Sequence, residues 1–157
     1  MTLDATAREA NIRDSVKRFF EDTFPSVNKT FDKALSAPDL QGRTVHKWIN
    51  VLVHVSEIAV LSDILLQIYC CTRQDNEYFK LSQLRDTIVE GLSVDPDSDQ
   101  SDNMKRITFY KSAPVLANWE VIGALLVTEV IESIPMEGPD ETKYKILTVR
   151  LRAPAKV

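Results

Sequence analysis

The sequence KWINVLVHVSEIAVLSDILLQIYCCTRQDNEYFKLSQLRDTIVEGL, residues 47–92, predicts the two strands and the helix around which the chain folds. Apolar residues occupy every second position of KWINVLVHV (47–55), and this period of two is typical of a β-strand. The segment DILLQIYCCTR (63–73) repeats the pattern, and one of its sides consists of Ile64, Leu66, Ile68 and Cys70. We therefore expect two neighbouring strands in this stretch.

After Arg73 the spacing of apolar residues changes to three and four, which indicates an amphipathic α-helix. Asp75 or Asn76 precedes the first turn, where a short side-chain oxygen can accept a hydrogen bond from a free backbone N–H. The apolar stripe of this helix consists of Tyr78 or Phe79, Leu81, Leu84, Ile88 and Leu92.

The rest of the chain adds one helix and several strands. Residues from about 4 to 23 predict an amphipathic helix, and residues 27–35 can hold a short edge strand. The segments KRITFYK (105–111) and TKYKILTVRLR (142–152) show the period of two and predict strands.

The stretch NWEVIGALLVTEVIESI (118–134) predicts a further long strand. Its many β-branched residues favour a strand, and Gly123 and Thr128 disfavour the interior of a helix. Its apolar residues occupy both faces, as expected of a central strand or of a strand that a second subunit covers.

Strands grouped around two helices, without regular alternation, predict an α+β fold: a mainly antiparallel β-sheet flanked on one face by two α-helices. The 157 residues are long enough to bury a core, and we expect one domain over residues 1–157. Residues 93–103 (SVDPDSDQSDN) contain four aspartates and predict an exposed acidic loop.

Composition argues against several classes of partner. The formal net charge of -4 disfavours non-specific binding to nucleic acid, because that binding depends on basic side chains. Cys70 and Cys71 are neighbours in a predicted strand, so they face opposite ways and a reducing compartment is expected. No secretory signal is apparent, and the longest apolar run, 121–127, is far shorter than the roughly 20 residues that span a membrane.

The sequence lacks the residue patterns of common enzymes. A Gly-rich phosphate loop, a serine-hydrolase elbow and a zincin helix are all missing. His46 and His54 would lie roughly 26 Å apart in an extended strand, too far to share a metal. The acidic loop lacks the glycine and the glutamate of an EF-hand. We therefore expect a protein that is not an enzyme and has no cofactor or metal site.

Arginine and aromatic residues in the predicted strands can form an association surface, because both are enriched in protein interfaces. Tryptophan at the start of a strand is also common in the core, so both interpretations stay open. The candidates for such an interface are Trp48, Arg73, Tyr110, Trp119, Arg150 and Arg152.

Residues 47–152, about two thirds of the chain, resemble the tail terminator, or neck-associated tail completion, proteins of tailed bacteriophages. The shared features are an aromatic-led strand, a strand that ends in an arginine before an acidic helix start, and LRD within that helix. The matching segments are KWINVLVHV, LLQIYCCTRQDNEYFKLSQLRDTIVEGL, ITFYKS, NWEVIGALLV and TKYKILTVRLR.

The resemblance implies a structural protein of the virion tail and neck that is assembled in the host cytoplasm. Such proteins form a hexameric ring that caps the tail tube, ends its polymerisation and offers a surface to the head-side connector. In a contractile tail the sheath is a further partner. We expect edge strands and loops of one subunit to pair with the next, and DNA to pass through the lumen without specific binding.

Two alternatives stay open. Another head-to-tail connector or adaptor protein would share the ring and bind a different partner. A small ligand-binding or enzyme-like α+β domain would instead use His54, Cys71 and the acidic loop, and would be a monomer or a dimer with a concave pocket. The small number of glycines and histidines disfavours this second alternative.

Overall fold

The computed structural model describes residues 9–33, 37, 45–57, 61–75, 77–93, 106–111 and 120–154. A single turn of 3₁₀ helix connects the last two strands. In chain order the helices and strands are α1 (Glu9–Thr23), β1 (Lys29–Phe31), β2 (Lys47–Glu57), β3 (Leu61–Thr72), α2 (Phe79–Gly91), β4 (Arg106–Lys111), β5 (Glu120–Glu132), β6 (Met136–Glu137) and β7 (Lys143–Pro154).

Every predicted helix and strand is present, and the α+β class is confirmed. β1 is the expected short edge strand, and the long strand predicted over 118–134 is β5 (Glu120–Glu132). Residues 4–8 of the predicted first helix and residues 94–103 of the predicted acidic loop lie outside the described residues. Between β5 and β7 the chain also forms the two-residue strand β6.

The strands form one sheet with the order β1-β2-β3-β7-β5-β4, and β6 pairs with β7. The pairing of β1 with β2 is parallel, and the other pairs are antiparallel. β7, the last strand in sequence, therefore lies in the middle of the sheet between β3 and β5. This order joins the two halves of the chain through one strand.

Both helices pack on the same face of the sheet, as predicted, and share one apolar core with it. The apolar stripes read from the sequence are buried because alternate strand residues and every third or fourth helix residue turn to this face. Side chains with 0% exposure in this core include Ile12, Val16, Phe20, Ile49, Val51, Leu66, Ile68, Ile88, Leu125, Leu147, Val149 and Leu151.

One flank of α1 lies along the β1 edge of the sheet. Arg13 forms an ion pair with Asp32 at 3.1 Å, and its Nη2 donates to the carbonyl of Val53 at 2.8 Å. The backbone N–H of Val53 donates to the Asp32 carboxylate at 3.3 Å. One turn further along α1, Lys17 lies over the Phe31 ring at 5.4 Å. These side chains close the edge of β2 where the short β1 ends.

The other flank of α1 lies along β4, at the opposite edge of the same sheet. The backbone N–H of Tyr110 donates to Ser15 Oγ at 2.9 Å, and the Ser15 hydroxyl donates to the Asn11 carbonyl at 2.7 Å. Arg18 stacks on the Tyr110 ring at 4.3 Å. One helix thus contacts both edges, which requires the sheet to curl until they approach each other.

The start of α2 depends on Asp75, one of the two predicted capping residues. The helix begins at Phe79, later than predicted, yet the Asp75 carboxylate accepts hydrogen bonds from the backbone N–H of Leu81 at 2.9 Å and of Lys80 at 3.3 Å. Thr72 also donates its hydroxyl proton to Asp75. The other predicted cap, Asn76, lies outside the described residues.

We predict that Asp75→Ala destabilises the fold by about 1–2 kcal/mol at pH 7, because two backbone donors lose their acceptor. Burial raises the pKa of Asp75, but the hydrogen bonds to its charged form outweigh this effect and lower the pKa below its ordinary value. The carboxylate of Asp75 therefore contributes its full share of the free energy of unfolding at neutral pH, and this contribution is lost as the pH falls below about 4. Urea unfolding of the wild type and the variant measures the difference in their free energies of unfolding at pH 7 and at pH 3. Glu90→Gln, which removes an exposed charge on α2, is the control.

We predict that Gly91→Ala destabilises the protein by about 1–3 kcal/mol, although alanine is normally the better helix residue. A Cβ at position 91 would lie 2.3 Å from Cζ of the buried Phe24 ring. Gly123→Ala is the matched control, because its Cβ would have no atom within 4 Å. Denaturant unfolding in which both variants are equally stable would contradict this packing.

Candidate association surface

The sheet has a second face that points away from the core cluster, and we call it the outer face. Along most of each strand, the side chains on this face are half-buried or exposed, whereas the alternate side chains on the core face are buried. This contrast makes it the natural place for contacts with other molecules. The outer face is defined by Leu52, His54, Asp63, Leu65, Gln67, Tyr69, Leu126, Glu129, Ile131, Tyr144, Ile146, Thr148, Arg150 and Arg152.

At one end of the outer face, Trp48 belongs to a small core of its own. Its exposure is 0%, and it packs with Val45 and Cys71, which are also buried. The indole Nε1–H donates to Asn50 Oδ1 at 3.2 Å, and Asn50 is itself fully buried. Of the two interpretations of Trp48, the structure shows the core, and this side chain is not available on the surface of the chain.

Arg73 covers this small core from outside. Its guanidinium carbon lies 5.0 Å from the centre of the Trp48 ring, and its Nε donates to Thr142 Oγ1 at 3.3 Å. A second guanidinium nitrogen lies 4.0 Å from the Asp140 carboxylate. The stacking keeps Arg73 over the tryptophan, so the two candidates lie together and Arg73 is the member that solvent reaches.

The neighbouring cysteines face opposite sides of the sheet, as predicted, and both are buried. Cys70 lies in the main core and Cys71 beside Trp48, and both are free thiols. Burial raises the pKa of Cys70, and it raises the pKa of Cys71 to about 12 against a weaker opposite effect of Arg73. Neither thiol has the electropositive, accessible setting that a nucleophile needs.

We predict that neither cysteine of the folded protein reacts with Ellman's reagent at pH 8 faster than the protein unfolds. Both should react at once in denaturant, when burial is lost. Ser82→Cys places a thiol at an exposed position of α2 and is the positive control. Fast labelling of the native wild-type protein would show that one of the two sites is open.

Arg150 and Arg152 lie at the other end of the outer face. Arg150 is 3.8 Å from Glu129 and Arg152 is 3.7 Å from Asp63, and the two arginine side chains are 56% and 53% exposed. Exposed ion pairs of this kind contribute less than about 1 kcal/mol to stability. Each arginine can therefore leave its present carboxylate and pair with another one at little cost. A cleft of about 370 Å³ beside them is lined in part by His54 and Leu65.

The five interface candidates that the structure describes do not form one site. Trp48 and Arg73 are separated from Arg150 by about 20 Å along the strands, since Tyr144 pairs with Cys71 beside Trp48. Tyr110 lies at the β4 edge beneath Arg18, and Trp119 lies outside the described residues.

Sequence reasoning missed the polar residues that support this arrangement. Asn50 occupies an outward position of β2 in the alternating pattern, and nothing in that pattern distinguishes a buried amide from an exposed one. Ser15 and Arg13 are ordinary polar positions on an amphipathic helix, and their partners lie 95 and 40 residues away in the chain. A depletion of asparagine in strands is the one signal that singles out Asn50.

Large apolar side chains are exposed at both ends of β5. Val121 is 61% exposed near its start, and Ile131 and Ile134 are 53% and 77% exposed at and beyond its end. Residues 121 and 131 lie roughly 33 Å apart along an extended strand. Phe79, at the first position of α2, is a further exposed apolar side chain among the described residues.

The described residues contain no group of three metal-ligating side chains, and none of the described helices is long and apolar enough to cross a membrane. His46 is half-buried, and its Nδ1 has no hydrogen-bond partner among those residues. His54 is exposed and lies eight residues further along the chain.

No model of a known protein family and no curated protein matches the sequence. Among solved structures, a protein whose name states no function has the same fold, with a TM-score of 0.59. The likeness covers 96% of this chain and 97% of the other, at 10% sequence identity. Identity this low shows a shared fold alone, and the resemblance to tail terminators stays a hypothesis.

Proposed function

We propose that the chain is a structural subunit of a tailed-bacteriophage virion, which assembles into a hexameric ring that caps the tail tube and joins the tail to the head-side connector. The sequence resemblance over residues 47–152 suggests this role. The observation that carries the proposal is the exposure of large apolar side chains at both ends of β5.

A closed ring needs two different contact patches on each subunit, because one patch must meet the other patch of the next copy. Val121 marks one patch, and Ile131 with Ile134 marks the second. Their separation of roughly 33 Å fits the opposite sides of a subunit of this size. We therefore assign the subunit junction to the contact of the first patch with the second.

The covered β1 edge of the sheet favours subunit contacts through the ends and loops of β5 over strand pairing at that edge. Arg13 and Asp32 already bond the backbone of Val53 at that edge. A neighbouring strand would have to displace both side chains. Strand pairing between subunits is therefore not expected at the β1 edge, and the expectation that edge strands join the subunits stays a prediction for the β4 edge.

The other expected partners would bind the two faces of the ring. The tail tube protein, and the sheath in a contractile tail, would contact one face, and the connector would contact the other. Arg150 and Arg152 are suited to such a contact, because their exposed ion pairs can be exchanged at little cost. A net charge of -4 is compatible with DNA that passes through the lumen without specific binding.

The solution mass of the protein tests the proposal directly. Six chains of 17.8 kDa give a ring of about 107 kDa. We expect light scattering to detect this ring either for the free protein or after addition of tail tubes assembled from the tube protein of the same genome. Electron microscopy should then place it at tube ends. A protein that stays a monomer and ignores tube ends would contradict the proposal, and a ring that binds only the connector would favour the adaptor alternative.

We predict that Val121→Asp and Ile131→Asp each prevent ring formation, because each places a charge in one apolar patch. The patches are different, so an equal mixture of the two variants keeps one intact junction and should form dimers, which neither variant forms alone. Phe79→Asp changes an equally exposed apolar residue outside both patches and is the control. Mixtures that remain monomeric while the control assembles would exclude the assigned junction.

A further inference from the structure

β4 ends the sheet on one side, and α1 occupies only part of its free edge. The Tyr110 N–H donates to Ser15 Oγ at 2.9 Å, so the backbone groups of Tyr110 point away from β5. Alternate residues of a strand direct their N–H and C=O to the same side. The register shift between Phe109 and Tyr110 places its extra residue in β5, so β4 keeps this alternation. Thr108 therefore presents both groups at this edge, and no group of the described residues bonds to them there.

A groove of about 170 Å³ runs along this edge between α1 and β4. Ser15 to Thr23 spans about 12 Å of helix, and Tyr110 to Arg106 spans about 13 Å of strand, so the two elements flank the groove over equal lengths. This length corresponds to about four residues of extended chain. Among the described residues, those that line the groove are Ser15, Arg18, Phe19, Asp22, Thr23, Arg106, Thr108 and Tyr110.

The charged side chains of the described residues give the groove a positive balance. Among those residues Arg18 and Arg106 are basic and Asp22 is acidic, and Asp22 lies 3.5 Å from Arg18. Asp22 offsets one of the two arginines. An extended segment in the groove would therefore gain from an acidic side chain next to Arg106.

We propose that the groove between α1 and β4 binds an extended peptide segment of a partner protein that carries an acidic side chain. The segment adds a short strand to β4 and pairs with the outward N–H and C=O of Thr108. The backbone N–H of Tyr110 already donates to Ser15 Oγ, so the added strand ends before Tyr110. This site differs from the two apolar patches of β5, so it does not depend on the ring proposal.

The test uses ¹⁵N-labelled protein and a capped hexapeptide of alternating valine and aspartate. We expect the peptide to shift the amide signals of Thr108 and Arg106 and to slow hydrogen exchange of the Thr108 N–H. A peptide with lysine in place of aspartate should bind more weakly, as should the Arg106→Gln variant, by roughly threefold for one exposed ion pair. An unshifted Thr108 amide at millimolar peptide would overturn the proposal.

A backbone variant separates strand addition from simple charge attraction. Thr108→Pro removes the outward N–H, and proline is tolerated where the N–H of an edge strand faces solvent. It should abolish binding, whereas Thr108→Val keeps the N–H and should bind normally. Equal binding by the two folded variants would exclude strand pairing. If Thr108→Pro does not fold, the exchange rate of the wild-type Thr108 N–H with and without peptide decides the question. Equal binding of the lysine and aspartate peptides would exclude the acidic preference.

Discussion

The position of α1 between the two edges of the sheet is the constraint on which the rest of the fold depends. Arg13 bonds β2 beyond the end of β1, and Ser15 bonds β4, at the other end of the strand order. Between these flanks, Ile12, Val16 and Phe20 are buried in the concave face. An open sheet of this size would expose two rows of unpaired backbone groups and a broad apolar surface. One amphipathic helix covers much of both.

Local periodicity predicted the elements of this fold well because burial on one side imposes the same pattern on every strand and helix. Ile64, Leu66 and Ile68 are buried because, as their period of two predicted, they lie on the same face of β3. The strand order, the parallel pairing of β1 and the double role of α1 were not predictable in this way. They depend on contacts between residues far apart in the chain, such as the 95 residues between Ser15 and Tyr110, and no local pattern encodes such a distance.

The candidate surface was predictable only in part, because residue type does not distinguish a buried aromatic from an exposed one. By sequence, Trp48 suited the core and an interface equally well. In the structure it is buried, and the buried Asn50 accepts the hydrogen bond of its indole N–H. Arg150 and Arg152 are exposed on the outer face, since their odd-numbered neighbours in β7 turn to the core. The sequence showed apolar residues on both faces of β5, but which of them are exposed depends on the pairing of this strand with β4 and β7.

The central place of β7 also determines the order in which the sheet can be completed. β1, β2 and β3 form one partial sheet, and β4 and β5 form another, and only β7 pairs with both. During synthesis β7 follows β1 to β6, so two unfinished sheets with open inner edges coexist until β7 is made. α1 contacts both edges of the finished sheet, and β7 is the strand that joins those two edges into one sheet. Folding is therefore dominated by late, long-range contacts, which favours slow formation of the native state and exposure to aggregation on the way.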